Sequence, residues 1–323
     1  MTSEIPCVDV AGVGVNATDT ILELPRFPAP DTKMEVTSSS LLAGGQVATA
    51  MVACANWGLR TRYIGKIGDD AAGELQQREF ERAGVEAHLI VVKDCPSQSS
   101  TILVDQQTGE RTILWYRDPR QALQPCDIRK EWVVSAKVLH VDGHDTLAAT
   151  AAARWAHESG IRVTADLDNI YPGVEELLAV TDYPITSREF PARLTGENDL
   201  LKSLPILHRR FGCRAAGATL GREGALAWDG SQFFYSPAFQ VAERDTTGAG
   251  DVFHAAFVYG LLQGWPISRL LDFGCAAAAL NCTGIGARGG IRPVEEIEAL
   301  RERGRRHPGV FQQKKLEEAR LAT

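Results

Sequence analysis

The sequence lacks any apolar run long enough to span a membrane. No uninterrupted stretch approaches the roughly 18 apolar residues that a transmembrane helix needs. The N-terminal residues also lack the basic region and the apolar region of a secretory signal peptide. We therefore expect a cytoplasmic protein with no membrane partner.

Disulfide and zinc patterns are missing as well. The seven cysteines are odd in number, scattered along the chain and without a CxxC pair. Such cysteines are typical of small buried apolar residues in a reducing compartment. The cysteine pattern therefore agrees with a cytoplasmic location.

Positive charge is scarce outside the C-terminal end. The formal net charge is −7, and because residues 301–323 alone carry +4, the rest of the chain carries −11. A nucleic-acid-binding protein usually presents a broad basic surface, so we expect no nucleic-acid partner. The short basic end is typical of a solvated helix end, and we assign it no function.

Low-complexity linkers and internal repeats are absent too. With 323 residues, of which 44% are hydrophobic, the chain can bury a sizeable core, which excludes disordered, collagen-like and coiled-coil classes. We predict one main domain over residues 1–300, with a small region inserted at about 16–42 and 97–120. Residues 301–323 would then form a basic tail or helix.

The order of predicted elements indicates the fold class. From residue 137 onward, strands alternate with helices, which predicts an α/β fold with a doubly wound, mostly parallel sheet and helices on both faces. Ser100–Val104 and Arg111–Tyr116 form a predicted hairpin. Together with the extended segment between residues 19 and 40, this hairpin could form a separate small sheet. Ligands of doubly wound sheets bind at the carboxyl ends of the strands.

Residues 244–264 carry the clearest chemical signal. Gly248, Ala249 and Gly250 precede a predicted apolar helix, and such small residues leave the first-turn amides and the helix dipole available to an anion. A carboxylate at Asp251 would repel that anion, so its presence there calls for a chemical role. Phosphoryl transfer provides one, because the amides stabilise the migrating group while Asp251 deprotonates the attacking hydroxyl.

The stretch Asp245-Thr-Thr-Gly-Ala-Gly-Asp251, together with Gly44-Gly45, resembles the paired signatures of the PfkB, or ribokinase-like, carbohydrate kinase family. The resemblance covers roughly residues 7–295. It implies a ribokinase-like α/β domain with a small β-sheet lid, and an ATP- and Mg²⁺-dependent kinase that acts on a small-molecule sugar. It also implies a homodimer formed through the lid.

The same resemblance assigns roles to single positions. Asp251 is the expected catalytic base, and Gly248, Ala249 and Gly250 are the expected anion hole. The expected sugar-binding positions are Asp19, Gly44, Gly45, Gln46 and Thr49. The expected ATP-binding positions are Thr219, Gly221, Arg222, Gly224, Thr246, Asn281 and Gly286. Asp245 and Thr247 match positions that hold a monovalent cation, with K⁺ as the candidate.

Two departures from the family pattern concern the sugar and the metal. The asparagines that usually follow the glycine pair are replaced by Gln46 and Thr49. The Asn-x-x-Glu element, which organises magnesium and phosphate in the family, aligns with Ser187–Phe190 and keeps neither end. Magnesium commonly retains several waters. The carboxylates expected to hold it through water are Asp166, Asp168 and Glu189.

His254 follows Asp251 by one helical turn on the same predicted helix. A histidine within a helix is usually a hydrogen-bonded structural residue. We therefore expect His254 to play at most a supporting role.

The substrate is the least determined part of the prediction. Within the family the chain resembles ketohexokinases and sulfofructose kinases, and Gly45–Thr49, Ser97–Thr101 and Thr246–His254 resemble the sulfofructose kinases in particular. A sulfonate or phosphate on the sugar calls for Arg or Lys in its pocket, whereas the predicted pocket contains Asp142. We therefore expect a neutral, ketohexose-like sugar, with Arg117 of the lid as a further sugar-site candidate that could reverse this choice.

Three alternatives stay open from the sequence. They are a sulfofructose or sugar-phosphate kinase, a nucleoside kinase, and a non-catalytic regulator that binds a sugar or a nucleotide.

Overall fold

The structure is a computed structural model that describes residues 5–107 and 111–321. The strands are β1 (Val8–Val13), β2 (Ala17–Leu24), β3 (Ser38–Gly44), β4 (Thr61–Gly68), β5 (Glu86–Val92), β6 (Ser99–Asp105), β7 (Arg111–Tyr116), β8 (Ala136–Asp142), β9 (Arg162–Leu167), β10 (Tyr183–Ser187), β11 (Ala216–Thr219), β12 (Ala225–Trp228) and β13 (Phe233–Ser236). The α-helices are α1 (Gln46–Asn56), α2 (Ala71–Ala83), α3 (Lys130–Val134), α4 (Thr146–Glu158), α5 (Val174–Leu178), α6 (Phe190–Thr195), α7 (Leu200–Phe211), α8 (Ala249–Leu262), α9 (Ile267–Asn281), α10 (Val294–Arg303) and α11 (Gln313–Leu321).

Within the described residues, nine strands form the main sheet, in the order β13-β12-β11-β10-β9-β8-β1-β4-β5. All neighbours pair in parallel except β12, which runs antiparallel to both β11 and β13. Helices α1, α8 and α9 contribute to a core on one face, whereas α4 and α5 cover the other. The predicted doubly wound, mostly parallel α/β fold is confirmed.

The small sheet is separate from the main one and has the order β3-β2-β6-β7. Strand β2 pairs antiparallel with β3 and parallel with β6, and β6 pairs antiparallel with β7. The predicted hairpin is therefore present, although residues 108–110 of its connection lie outside the described residues. These four strands are the lid.

The chain reverses direction in the sheet order at β1, which lies between β8 and β4. After β1 the chain passes through the lid and returns to β4 and β5, whereas β8 and the later strands extend to the other side. Ligands bind at such switch points, outside the carboxyl ends of the strands. The segments that follow β1 and β8 therefore border the ligand-binding region.

The C-terminal segment, predicted as a basic tail or helix, contains the helix α11. Residue 300, the predicted boundary, falls inside α10. Phe311, Leu316 and Ala319 pack against a buried cluster that includes Leu204. Apolar residues hidden among the basic ones therefore attach this segment to the main domain.

Two strands were missed by the sequence analysis. Strands β5 and β13 lie at the two edges of the main sheet. Among the helices of the described residues, none is both long and apolar enough to cross a membrane.

Candidate active site

Two adjoining cavities lie at the start of α8. A cleft of about 700 Å³ is bordered by the lid strands, the start of α1 and the start of α8. A pocket of about 370 Å³ extends from the other side of α8 toward α9. Both cavities are lined by Arg111, Thr246, Ala249 and Gly250. The N-terminus of α8 is therefore a wall shared by two cavities.

Glycine is required at the start of α8. Gly248 has φ = 73°, and a β-carbon there would lie 2.2 Å from the carbonyl oxygen of Ala287. A β-carbon at Gly250 would meet no heavy atom within 4 Å, so this side of the helix is open to the cavities. No side chain among the described residues caps α8. Its first-turn amides can therefore face a bound anion, as predicted for this segment.

Asp251 lies in the first turn of α8 and lines the cleft. Burial raises its pKa well above the ordinary value, and the nearby carboxylates Asp166, Asp19 and Asp168 add to this rise. The Arg288 cation opposes it. A carboxylate with a raised pKa is a stronger proton acceptor, which suits a general base.

Asp19 and the glycine pair lie together at the edge of the lid. The Ser100 hydroxyl donates to Asp19 Oδ1 at 2.6 Å, and burial raises the pKa of Asp19. A β-carbon at Gly44 would lie 2.0 Å from Asp19 Oδ2, so glycine permits this close approach. Gly45, with φ = 92°, starts α1 and lines the cleft beside Gln46.

Arg288 was missed as a site residue by the sequence analysis. Its Nη2 donates to the carbonyl oxygen of Gly44 at 3.0 Å, and its Nε donates to Thr49 Oγ1 at 3.4 Å. Its charge opposes the pKa rises of Asp19 and Asp251, and burial lowers its own pKa to about 10. Thr49 is fully buried and does not line the cleft. It therefore supports Arg288 instead of facing a sugar.

Asp166 lies behind the cleft, between Gln46 and His254. Its Oδ1 is 3.2 Å from His254 Nε2, and it also accepts from the Gln46 side chain. Burial, the largest single influence, opposes ionisation of Asp166, but the contacts with His254, His140 and Gln46 together outweigh it, so its pKa is lowered. Asp168, by contrast, lines the cleft, where burial and the charge of Asp166 raise its pKa to about 6.

The second cavity contains five of the predicted ATP-binding positions. These are Thr219, Gly221, Arg222, Gly224 and Thr246. The other two lie behind the wall: Asn281 Nδ2 donates to the carbonyl oxygens of Thr247 and Ala287 at 3.2 and 3.0 Å, and the Gly286 amide donates to Asp245. Asn281 and Gly286 therefore fix the loops and do not line this pocket.

The predicted cation-binding pair is close to the same wall. Asp245 accepts from the amides of Thr247 and Gly286 at 2.9 and 2.8 Å. The Thr247 hydroxyl is buried and has no hydrogen-bond partner among the described residues. No cluster of three or more His, Cys, Asp or Glu side chains suited to a metal occurs within residues 5–107 and 111–321.

Three further predicted residues do not line the cleft. Asp142 is buried and accepts from the amides of Val15 and His144 at 2.5 and 3.0 Å, so backbone groups occupy its carboxylate. Arg117 forms an ion pair with Asp145. Glu189 is exposed directly before α6. None of the three predicted side chains lines the cleft.

Several side chains that the sequence analysis did not assign to the site also line the cleft. Arg111 and Arg193 bring positive charge. Trp115, His144 and Tyr171 form an aromatic group in which the Tyr171 hydroxyl is 3.1 Å from His144 Nε2. The sequence-based argument against an anionic substrate depended on an Asp142 carboxylate in the sugar pocket. Because Asp142 does not line the cleft, that argument no longer holds.

This geometry suits a phosphotransferase, with an uncapped helix N-terminus between a pocket of about 370 Å³ and a cleft lined by carboxylates. The model of the family described as pfkB family carbohydrate kinase matches residues 3–293. The chain therefore belongs to the pfkB family of carbohydrate kinases.

Individual relatives agree with this assignment. The chain is 28% identical to an ATP-dependent ribose-1-phosphate kinase of Halopiger xanaduensis, over 84% of this chain and 90% of the relative. It is 27% identical to a ribokinase of Haemophilus influenzae, over 87% of this chain and 94% of the relative. A crystal structure of a putative ribokinase from Agrobacterium tumefaciens superposes with a TM-score of 0.85 at 26% identity, covering 92% of this chain and 98% of that chain.

The position of Asp142 generates a prediction about stability and pH. Burial raises the pKa of Asp142 to about 7 in the folded protein, above its ordinary value of 3.8. Between these values the folded chain keeps a proton that the unfolded chain releases, so this contribution to stability is full at low pH and is lost as pH rises through about 7. Relative to Asp142→Asn, the wild type should lose about 1.4 kcal/mol of unfolding free energy per pH unit between about pH 5 and pH 7.

Urea unfolding of the wild type and Asp142→Asn at several pH values measures this difference. Asp31→Asn, a change at an exposed turn position, serves as the control and should follow the wild type at every pH. A constant gap between Asp142→Asn and the wild type over this range would contradict the assignment.

Proposed function

We propose that the protein is an ATP-dependent sugar kinase that transfers the γ-phosphoryl group of MgATP to a hydroxyl group of a small sugar. One observation carries this proposal: the two cavities meet at Thr246–Gly250, and Asp251 lies on the cleft side of that wall. ATP would bind in the pocket, the sugar would bind in the cleft, and the phosphoryl group would pass between them.

The roles of the residues follow from this arrangement. The loop Gly221–Gly224 and the first-turn amides of α8 would bind the phosphates. Asp251 would accept the proton of the attacking hydroxyl while the amides of Gly248–Gly250 stabilise the transferring group. Asp19 and Gln46 line the opposite part of the cleft and would accept or donate hydrogen bonds to other sugar hydroxyls.

Mg²⁺ would arrive with ATP and neutralise phosphate charge during transfer. Of the three predicted carboxylates, only Asp168 lines the cleft. Asp166 contacts His254, and Glu189 is exposed and does not line the cleft. Asp168 would therefore be the carboxylate that holds the metal through water.

A monovalent cation, with K⁺ as the candidate, would bind near Asp245 and Thr247. The support is the buried Thr247 hydroxyl, which has no hydrogen-bond partner in the described part of the chain, next to a buried carboxylate. Such a cation would add positive charge near the wall.

Our first choice of substrate is a neutral, ketohexose-like sugar. The carboxylates of Asp19, Asp168 and Asp251 and the amide of Gln46 line the cleft and suit hydroxyl groups. The second choice is a sugar phosphate or sulfofructose. It is supported by Arg111 and Arg193, which line the same cleft, and by the similarity to a ribose-1-phosphate kinase.

The test compares the wild type with Asp251→Asn on a panel of acceptors. The panel contains fructose, tagatose, ribose, 2-keto-3-deoxygluconate, sulfofructose, fructose and ribose phosphates, and adenosine. ADP release and product mass are measured with MgATP. The wild type should phosphorylate a neutral ketose, and Asp251→Asn should lose about 10²- to 10⁴-fold in kcat because the general base is removed. Asp31→Asn should retain the wild-type rate.

Each of the other outcomes would contradict part of the proposal or identify a different function. Equal rates for wild type and Asp251→Asn would contradict the role of Asp251. Turnover of phosphorylated or sulfonated sugars alone would establish the second choice of substrate, and turnover of adenosine alone would identify a nucleoside kinase. Binding of sugar or ATP without turnover of any acceptor would favour a regulator.

The lid also supports the proposal of a homodimer. Side chains alternate along β7, so Leu114 and Tyr116 point away from the cleft that Ile113 and Trp115 line. Leu41 of β3 lies in the same cross-strand row as Leu114 and is likewise exposed. A second copy of the lid would cover this apolar face.

Leu114→Glu should convert the dimer into a monomer, because a buried carboxylate on a dimer interface is costly. Sedimentation velocity measures the change. Leu147→Glu, at an exposed leucine on α4, is the matched control and should stay dimeric. A wild-type monomer, or a dimer that Leu114→Glu leaves intact, would contradict assembly through this face.

A further inference from the structure

The pocket of about 370 Å³ contains a residue from the C-terminal segment. The family model ends at residue 293, yet His307 lines the pocket together with Ala238, Phe239 and Val241. The net positive charge of residues 301–323 suggested only a solvated end. Its location points to a contribution to ligand binding.

Backbone hydrogen bonds hold His307 at the pocket wall. The His307 amide donates to the carbonyl oxygen of Ala238 at 2.9 Å, and the Gln240 amide donates to the carbonyl oxygen of Arg305 at 2.8 Å. Phe239 and Arg306 form an antiparallel bridge between these two bonds. Residues 305–307 therefore pair alongside residues 238–240, which follow β13, and His307 lines the pocket.

Arg306 fixes the same segment from its other side. Its guanidinium lies 3.9 Å from the centre of the Phe239 ring and forms an ion pair with Asp272 on α9. It also donates to Ser236 Oγ at 3.1 Å and to the carbonyl oxygen of Pro237 at 2.9 Å. These contacts join the segment to two walls of the pocket.

Tyr235 connects the segment to the proposed phosphate-binding loop. Its hydroxyl donates to the carbonyl oxygen of Glu223 at 2.7 Å and accepts from the Val310 amide at 3.1 Å. Glu223 lies between Gly221 and Gly224, which line the pocket. Residues 305–310 therefore line the apolar part of the pocket through His307 and are linked to the loop at its polar end through the Tyr235 hydroxyl.

The lining of the pocket near the segment suits a purine nucleoside. Ala238, Val241 and, on α9, Ala278 and Ala279 line this part of the pocket and give it small apolar walls, here called the recess. The half-buried imidazole of His307 borders this recess and offers both a planar ring and nitrogen atoms that donate or accept hydrogen bonds. Bases bind through these two kinds of contact, stacking and hydrogen bonding.

We propose that His307 contacts the nucleoside part of the bound nucleotide, so that residues 305–310 form a wall of the ATP site. This inference rests on the proposed function, because it takes the pocket to be the ATP site. It assigns a binding role to a segment that lies beyond the family model. Since ADP and ATP share the nucleoside, His307 should affect both alike and should not depend on the sugar.

Isothermal titration calorimetry of MgADP and of a non-hydrolysable MgATP analogue, without sugar, tests this role. His307→Ala should raise the Kd for both nucleotides by the same factor, about 5- to 150-fold, which is the range expected for loss of one base contact. The matched control is His157→Ala, at an exposed histidine on α4, which should bind as the wild type does. His307→Gln, which keeps a hydrogen-bonding side chain, is the second variant, and melting temperatures establish that each variant is folded.

The outcomes separate this inference from the proposed function. Wild-type affinity for ADP in both His307 variants would overturn the inference, as would a loss confined to the ATP analogue, which would place His307 at the γ-phosphate. Weaker ADP binding by folded His307→Ala would support the inference even if no acceptor on the panel were phosphorylated. A wild type that binds no nucleotide would overturn both.

Discussion

The charge balance around the start of α8 is the constraint on which the site depends. The carboxylates of Asp19, Asp168 and Asp251 border one cleft, into which a negatively charged phosphoryl group would move in the proposed reaction. The protein balances them locally, with the Arg288 guanidinium beside Asp19 and Asp251 and with the uncapped amides of α8. Because the overall net charge is −7, anion binding depends on these placed groups and not on the field of the whole molecule.

This constraint explains why residues far apart in sequence are joined so closely. Arg288 donates to the carbonyl oxygen of Gly44, and Gly44 must lack a β-carbon because Asp19 Oδ2 occupies that space. Gly248 must lack one because Ala287 lies against it. The loop around residues 284–290 therefore fixes the lid edge, α1 and the N-terminus of α8 in one arrangement, which keeps the two cavities on opposite sides of the same wall.

The sequence was informative where the cause was local. Apolar periodicity and glycine positions predicted the main helices, the parallel strands and the segment Gly248–Asp251, because these depend on neighbouring residues. Long-range contacts were not predictable in this way: the Arg288–Thr49 bond joins residues 239 positions apart. Asp142 was predicted to face the sugar because it ends a strand, but its carboxylate instead accepts hydrogen bonds from two backbone amides. In the C-terminal segment, basic residues concealed the few apolar contacts that attach it.

The central claim is that the phosphoryl group passes directly from nucleotide to sugar across the wall formed by α8. The most direct test is the stereochemical course of the reaction, using ATP whose γ-phosphoryl group is made chiral with oxygen isotopes. A single in-line displacement across this wall predicts inversion of configuration at phosphorus in the sugar phosphate. Retention would contradict the account, because it would require a protein-bound phosphoryl intermediate between the two cavities.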